Sequence, residues 1–160
     1  MNIDHITNDF GYWFSGLADG EGSFGMSLGS RPKFIPACSF SLSLRDDDIR
    51  VLKWVRDQLG FGHLYARNRR ERNSQGYISH PRADFFIHNK SETALLVALF
   101  RKFPLHSKKA RDFEIWSQAV EIWNRRNWNG RWTTEKQAVA EEMQALMHKL
   151  RTGRRYQSPN

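Results

Sequence analysis

A chain of 160 residues, 39% hydrophobic and 13% aromatic, is long enough for one domain with a real core, or one domain with a short helical extension. A formal net charge of +8 points to a polyanionic partner, nucleic acid ahead of an acidic membrane, and no apolar run approaches the roughly 18 residues that span a bilayer. Cys38 is the only cysteine, which excludes an internal disulfide or a cysteine zinc cluster, and Met1-Asn2-Ile3-Asp4-His5 carries no signal-peptide pattern, so an intracellular home is expected.

The first predicted helix covers 9–20, with Asp9 or Asn8 as cap. Phe10, Trp13, Phe14 and Leu17 recur on it at helical spacing and should make core contacts. A strand follows, in which Phe24, Met26 and Leu28 alternate with Gly25, Ser27 and Gly29. After a turn through Ser30-Arg31-Pro32-Lys33 comes the clearest alternation in the chain. Cys38, Phe40, Leu42 and Leu44 are apolar, whereas Ser39, Ser41, Ser43 and Arg45 are polar. Period two predicts a sheet that buries one face and leaves hydroxyls and a guanidinium on the other.

Asp46, Asp47 and Asp48 open a second helix, where acids suit the positive end of the dipole. Capping explains them better than a metal does, because three consecutive acids cannot share one helical face. Ile49, Leu52, Val55 (or Trp54) and Leu59 form its apolar stripe, and Gly60 ends it. A strand over 63–68, a basic tip through 67–73, and a return through 77–79 and 82–88 make a second, longer hairpin. A helix from Asn89 or Ser91 to about Arg101 is broken by Pro104, and another covers 107–126. A loop over 127–132 precedes a final helix over 134–151, where Thr134 and Gln137 fit a capping box. Residues 152–160 are expected to be a disordered tail.

The order is helix, two strands, helix, two strands, helices: an α+β fold with a four-stranded antiparallel sheet and helices on one face. Residues 1–126 make the core domain, and 127–151 pack on it as a loop and helix.

The most informative stretch is Trp13-Phe14-Ser15-Gly16-Leu17-Ala18-Asp19-Gly20-Glu21-Gly22. It puts Asp19 and Glu21 at a helix C-terminus, where carboxylates oppose the dipole, and so suggests a bound cation. Gly16 and Gly20, with Tyr12 on the same stripe, leave a face open to close approach by a second helix. Gly20 and Gly22 also suit a plain helix-to-strand turn with Asp19 solvated. Phe14 through Gly22 resembles the signature of the LAGLIDADG homing endonuclease family. Gly16, Leu17, Asp19 and Gly22 match the name itself, and Glu21 stands as a variant of its second acid. The resemblance runs over about residues 8–125, through the same αββαββα order.

That resemblance implies a saddle-shaped sheet over double-stranded DNA. The motif occurs once, as in the homodimeric members; members with two motifs are larger monomers. A homodimer would join through Tyr12, Gly16 and Gly20 and cut both strands of a long pseudo-palindromic site, in the service of a mobile intron or intein. The family pattern makes Glu21 the metal ligand and catalytic acid, with the Gly20 carbonyl beside it, and leaves Asp19 more structural. Mg²⁺ is the expected ion, Mn²⁺ a substitute, and Ca²⁺ a support for binding without efficient cleavage. The resemblance also implies a basic group near the scissile phosphate: Lys108 first, then Lys109, or His106 if the register shifts. Many members carry a polar residue near the end of the second strand, where Leu44 stands here.

The DNA face is expected to use Ser27, Ser39, Ser41, Ser43 and Arg45, with Arg31 and Lys33 at the first hairpin's tip. Tyr65, Arg67, Arg69 and Arg72 serve the second. Two-stranded ribbons fit the major groove, and arginines read guanine edges. The chain has 17 Arg against 8 Lys, which fits this use and favours a bacterial cytoplasm over an AT-rich organellar gene. The alternative is a non-cleaving nucleic-acid-binding protein on the same scaffold, an intron maturase acting on RNA or a DNA-binding regulator. Trp128 and Trp132 beside Arg125, Arg126 and Arg131 admit single-strand stacking, but tryptophans in a helical extension more often pack.

Overall fold

The computed structural model describes residues 2–29, 35–67, 71–72, 76, 78–125, 128 and 132–152. In chain order the elements are α1 (Asn8–Glu21), β1 (Gly22–Leu28), β2 (Pro36–Arg45), α2 (Ile49–Leu59), β3 (His63–Arg67), β4 (Glu71–Arg72), β5 (Ile78–Ser79), β6 (Arg82–Ile87), α3 (Lys90–Lys102), α4 (Lys109–Arg125) and α5 (Thr134–Thr152). This is the α+β order that periodicity predicts. The short pair β4–β5 is a separate ribbon inserted into the second hairpin. The expected tail lies outside the described residues from 153 onward.

The main sheet runs β1-β2-β6-β3, antiparallel throughout, so the two hairpins meet along β2 and β6. Alternation decides which face is buried. Phe24 of β1, Cys38, Phe40 and Leu42 of β2, and Ala83, Phe85 and Ile87 of β6 all turn toward the helices and are almost fully buried. Rings from three layers interlock there. Phe14 of α1 stacks on Phe100 of α3 at 5.6 Å, and Phe24 lies 5.1 Å from Trp116 of α4. Each such ring contributes about 1.5–3 kcal/mol by leaving water, which makes this cluster the main source of stability. The indole nitrogen of Trp116 also donates to the Gly25 carbonyl at 3.1 Å, so α4 is fastened to β1. Burial pushes the Cys38 thiol up to about 12, leaving it an inert core side chain.

The C-terminal segment belongs to the same core. Met143 and Leu150 of α5 are buried, as is Trp128, whose indole donates to the Trp123 carbonyl at 3.2 Å. Trp132 donates to Gln137 Oε1 at 3.1 Å. Both tryptophans are packing residues here and offer no stacking platform.

Several local expectations change. The cap of α1 is Thr7, whose hydroxyl accepts from the Phe10 N–H at 3.3 Å, one residue before Asn8. Asp46–Asp48 form a single 3-10 turn ahead of α2, and Asp48 makes no capping bond with its side chain. Asp47 instead takes the Arg45 guanidinium at 3.2 and 3.0 Å. Thr133 caps α5 by accepting from the Lys136 N–H at 3.2 Å, so the capping box at Thr134 is displaced by one residue. Trp13 is 41% exposed; it meets Trp54 edge to face at 4.7 Å on the rim of the core. Asn89 caps α3, accepting from the Glu92 N–H at 2.8 Å, and Gly60 ends α2 in the left-handed conformation at φ 75°.

Candidate nucleic-acid interface and catalytic centre

No described helix covers the second face of the sheet. The strand registers set its pattern. Ser23, Ser41, Phe86 and His63 lie in one row across the four strands. Ser43, Asp84 and Tyr65 make the next row, then Arg45, Arg82 and Arg67. Ser39 stands opposite Gly25, where a β-carbon would come within 2.4 Å of its hydroxyl, and Ser27 lies further along β1. A shallow cavity of about 440 Å³ opens among Ser41, Ser43, Tyr65, Arg67, Arg82, Asp84, Phe86 and His88.

Of the residues expected on the DNA face, Ser27, Ser39, Ser41, Ser43, Arg45, Tyr65 and Arg67 therefore share one surface. Arg31, Lys33 and Arg69 lie outside the described residues, and Arg72 is described only as backbone of β4. The face also carries Arg82, Asp84, Phe86, His88 and His63, none assigned to it from the sequence alone. Their signal is the same alternation: 82, 84, 86 and 88 are polar or half-exposed, and 83, 85 and 87 are buried.

Asp84 is the unusual member. Its side chain is 10% exposed, and it accepts from the Ser43 hydroxyl at 2.6 Å. Its other oxygen lies 3.3 Å from Arg67 Nε and 3.4 Å from Arg82 Nε. The arginines are about half exposed, so each ion pair adds at most about 1 kcal/mol to stability. Burying an unpaired carboxylate would cost several kcal/mol, so these contacts chiefly offset the acid's own burial.

The second feature is the end of α1. Glu21, its last residue, is exposed, and no side chain among the described residues partners its carboxylate. No basic residue sits in the last turn to oppose the dipole. Asp19 is different. Its carboxylate accepts from the backbone N–H of His106 at 2.8 Å and of Ser107 at 3.0 Å. Burial alone would raise its pKa. The His106 N–H, then the Ser107 hydroxyl and N–H, outweigh that and hold it below the usual 3.8. Asp19 thus ties the α3–α4 connection to the motif helix.

The three basic candidates part company here. His106 is exposed and gives its backbone N–H to Asp19, while the Lys108 side chain is exposed. Lys109 reaches back to the motif: its ammonium donates to the Gly20 carbonyl at 3.0 Å and also to the Gly22 carbonyl. An ammonium therefore sits where the Gly20 carbonyl was expected to face a metal. Leu44 faces the helices and pairs with Ala83, half buried against the core. The open-face positions of β2 near the motif are Ser41 and Ser43, because Gly22 and Ser23 pair with Leu42 and Ser41.

Along α1, Gly16 and Gly20 are exposed, and a β-carbon built on either meets nothing within 4 Å. Tyr12 on the same stripe is 59% exposed, with its ring edge against Phe103 at 5.2 Å. Among the described residues no group of three or more His, Cys, Asp or Glu could hold a metal. Among the described residues, the end of α1 offers one free carboxylate, Glu21, beside backbone carbonyls. Such hard oxygen donors fit a hydrated Mg²⁺ in kind but are too few in number to cage it.

A family profile described as LAGLIDADG endonuclease matches residues 14–120, more than half of the chain. A comparison with curated proteins finds no match. Among solved structures, the homing endonuclease I-TnaI is 22% identical, with a TM-score of 0.64 over 89% of this chain and 94% of its own. The LAGLIDADG homing endonuclease I-SmaMI, bound to cleaved DNA, is 22% identical with a TM-score of 0.68, covering 91% of this chain and 45% of that one. Another I-SmaMI structure holds an uncleaved DNA target in the presence of calcium ions. The meganuclease I-AabMI, bound to uncleaved DNA, is 23% identical with a TM-score of 0.60 over 72% of this chain and 37% of that one. These identities speak to the fold alone. The chain spans less than half the length of I-AabMI and I-SmaMI.

Proposed function

Since the chain belongs to the LAGLIDADG endonuclease family, we propose that it is a site-specific, metal-dependent double-strand DNA endonuclease that works as a homodimer. The observation that carries this reading is Glu21: an exposed carboxylate with no side-chain partner among the described residues, at a helix end where charge is unfavourable, beside a glycine face open within one chain. Two copies meeting through Tyr12, Gly16 and Gly20 would bring two such carboxylates toward one axis.

Each residue then has a task. The sheet face of each copy lies along the major groove, with Ser27, Ser39, Ser41, Ser43, Arg45, Tyr65 and Arg67 toward the DNA, and Arg31, Lys33, Arg69 and Arg72 add further basic contacts to it. Glu21 would hold the divalent ion together with phosphate oxygens, water and its counterpart in the second copy. The Gly20 carbonyl joins that set only if Lys109 lets go of it. Bound there, Mg²⁺ (or Mn²⁺) supplies water activation and charge stabilisation on the leaving oxygen. Lys109, already at the motif helix, or Lys108 beside it, neutralises the phosphate as charge builds. Asp19, with both oxygens engaged by backbone N–H groups, keeps these parts in register. Leu44 turns to the core while Ser41 and Ser43 stand on the open face near the motif, which supports giving the polar place beside the site to a serine.

Selection of cleaved sites from a randomised duplex library in Mg²⁺ tests the reading. It should recover one long, pseudo-palindromic sequence cut in both strands. Tight binding of a preferred duplex that is never cut would move the chain to the non-cleaving regulator or maturase.

A further inference from the structure

The four strands of the main sheet place a single carboxylate on their open face, Asp84. A negative charge works against a polyanion, so contact with phosphate does not explain it. Both of its oxygens are already occupied: one accepts from the Ser43 hydroxyl at 2.6 Å, and the other lies 3.3 and 3.4 Å from Nε of Arg67 and Arg82. Arg67 and Arg82 stand directly opposite each other in the β3–β6 register, so their side chains leave the sheet side by side. A guanidinium met at Nε keeps its terminal nitrogens for a second, planar acceptor. In the major groove that acceptor is the O6/N7 edge of guanine, and an arginine reads it well only when its fork is held in one orientation.

We propose that Asp84 is a positioning residue for sequence recognition, holding Arg67 and Arg82 as a preset double fork for guanine in each half-site. This rests on the reading of the chain as a DNA-binding endonuclease. Asp84 acts through the two arginines and touches no base itself.

The test measures binding to the recovered site and to every single-base-pair variant of it, in Ca²⁺. The proteins are wild type, Asp84→Asn, Arg67→Lys and the double variant. Asp84→Asn keeps the shape of the side chain and an acceptor for Ser43. Arg67→Lys keeps the charge and removes the fork. Wild type should prefer guanine by about tenfold or more at one or two positions per half-site. Asp84→Asn should flatten discrimination at those positions alone and leave or raise affinity for unrelated DNA. Arg67→Lys should flatten a position within the same set, and the double variant should lose no more than the larger single loss there, since the two residues act as one unit. Unchanged guanine preference in Asp84→Asn overturns the proposal. So does a loss spread evenly over the site, which marks a merely structural role, and so do losses that simply add. Sequence preference in wild type with an unchanged profile in Asp84→Asn sinks this inference and leaves the function standing. No sequence preference in wild type sinks both.

Discussion

At the scale of single residues, the two acids of the motif do opposite work. Asp19 is held by two backbone N–H groups from the α3–α4 connection, while Glu21 is exposed and has no side-chain partner among the described residues. A carboxylate whose folded pKa is depressed stabilises the protein above its unfolded pKa and loses that contribution as pH falls through the folded value. Asp19 is of this kind, with its pKa held below 3.8. Asp19→Asn should therefore melt lower than wild type near neutral pH, and the gap should narrow in melts taken progressively below pH 3.8. A gap that stays constant into acid would mean the Asp19 charge is not what ties α4 to the motif. The resemblance implies a basic group near the scissile phosphate but leaves His106, Lys108 and Lys109 open. Consecutive helical residues point about 100° apart, so which of them faces the motif helix depends on where α4 begins. It begins at Lys109, which turns that ammonium back onto the Gly20 and Gly22 carbonyls and leaves Lys108 facing outward.

Secondary elements were legible where their hydrophobic period was clean. Cys38 to Arg45 alternates without a break and is a strand, with its serines on the open face as expected. Arg82 to Ile87 alternates just as well, yet its polar side acquires meaning only through strand register. Nothing local in the sequence says that Asp84 will lie between Ser43 on one neighbour and Tyr65 on the other. Helix α1 shows both kinds of glycine. Gly11 lies against Phe103, where a β-carbon would come within 2.4 Å of the ring. Gly11→Ala should cost about 1–3 kcal/mol from overpacking, reduced by roughly 1 kcal/mol of helix propensity. The denaturant midpoint should fall with an unchanged slope, and a midpoint at or above wild type would mean that contact is not tight. Gly16 has open space around it within one chain. Gly16→Leu, with room for its side chain within one chain, should still fold while sedimenting as a monomer and losing double-strand cleavage. A Gly16→Leu dimer as tight as wild type would remove α1 from the interface.

For the molecule as a whole, the fold packs its core on one side of the sheet and leaves on the other serines, arginines and a shallow cavity. The motif helix carries Glu21 at its end and a glycine stripe with open space along it within one chain, the two features on which the proposed dimer rests. On the proposed function, Glu21 is present for chemistry at the cost of stability. The decisive comparison is of wild type and Glu21→Gln on the recovered DNA site, with binding measured in Ca²⁺ and cleavage in Mg²⁺. Wild type should bind in Ca²⁺ without efficient cutting and cleave both strands in Mg²⁺. Glu21→Gln should bind with the same preference, cleave at least ~10²-fold more slowly, and melt no lower, since the helix terminus loses an opposing charge worth about 0.3–1 kcal/mol. Glu21→Gln cleaving at the wild-type rate would contradict the account.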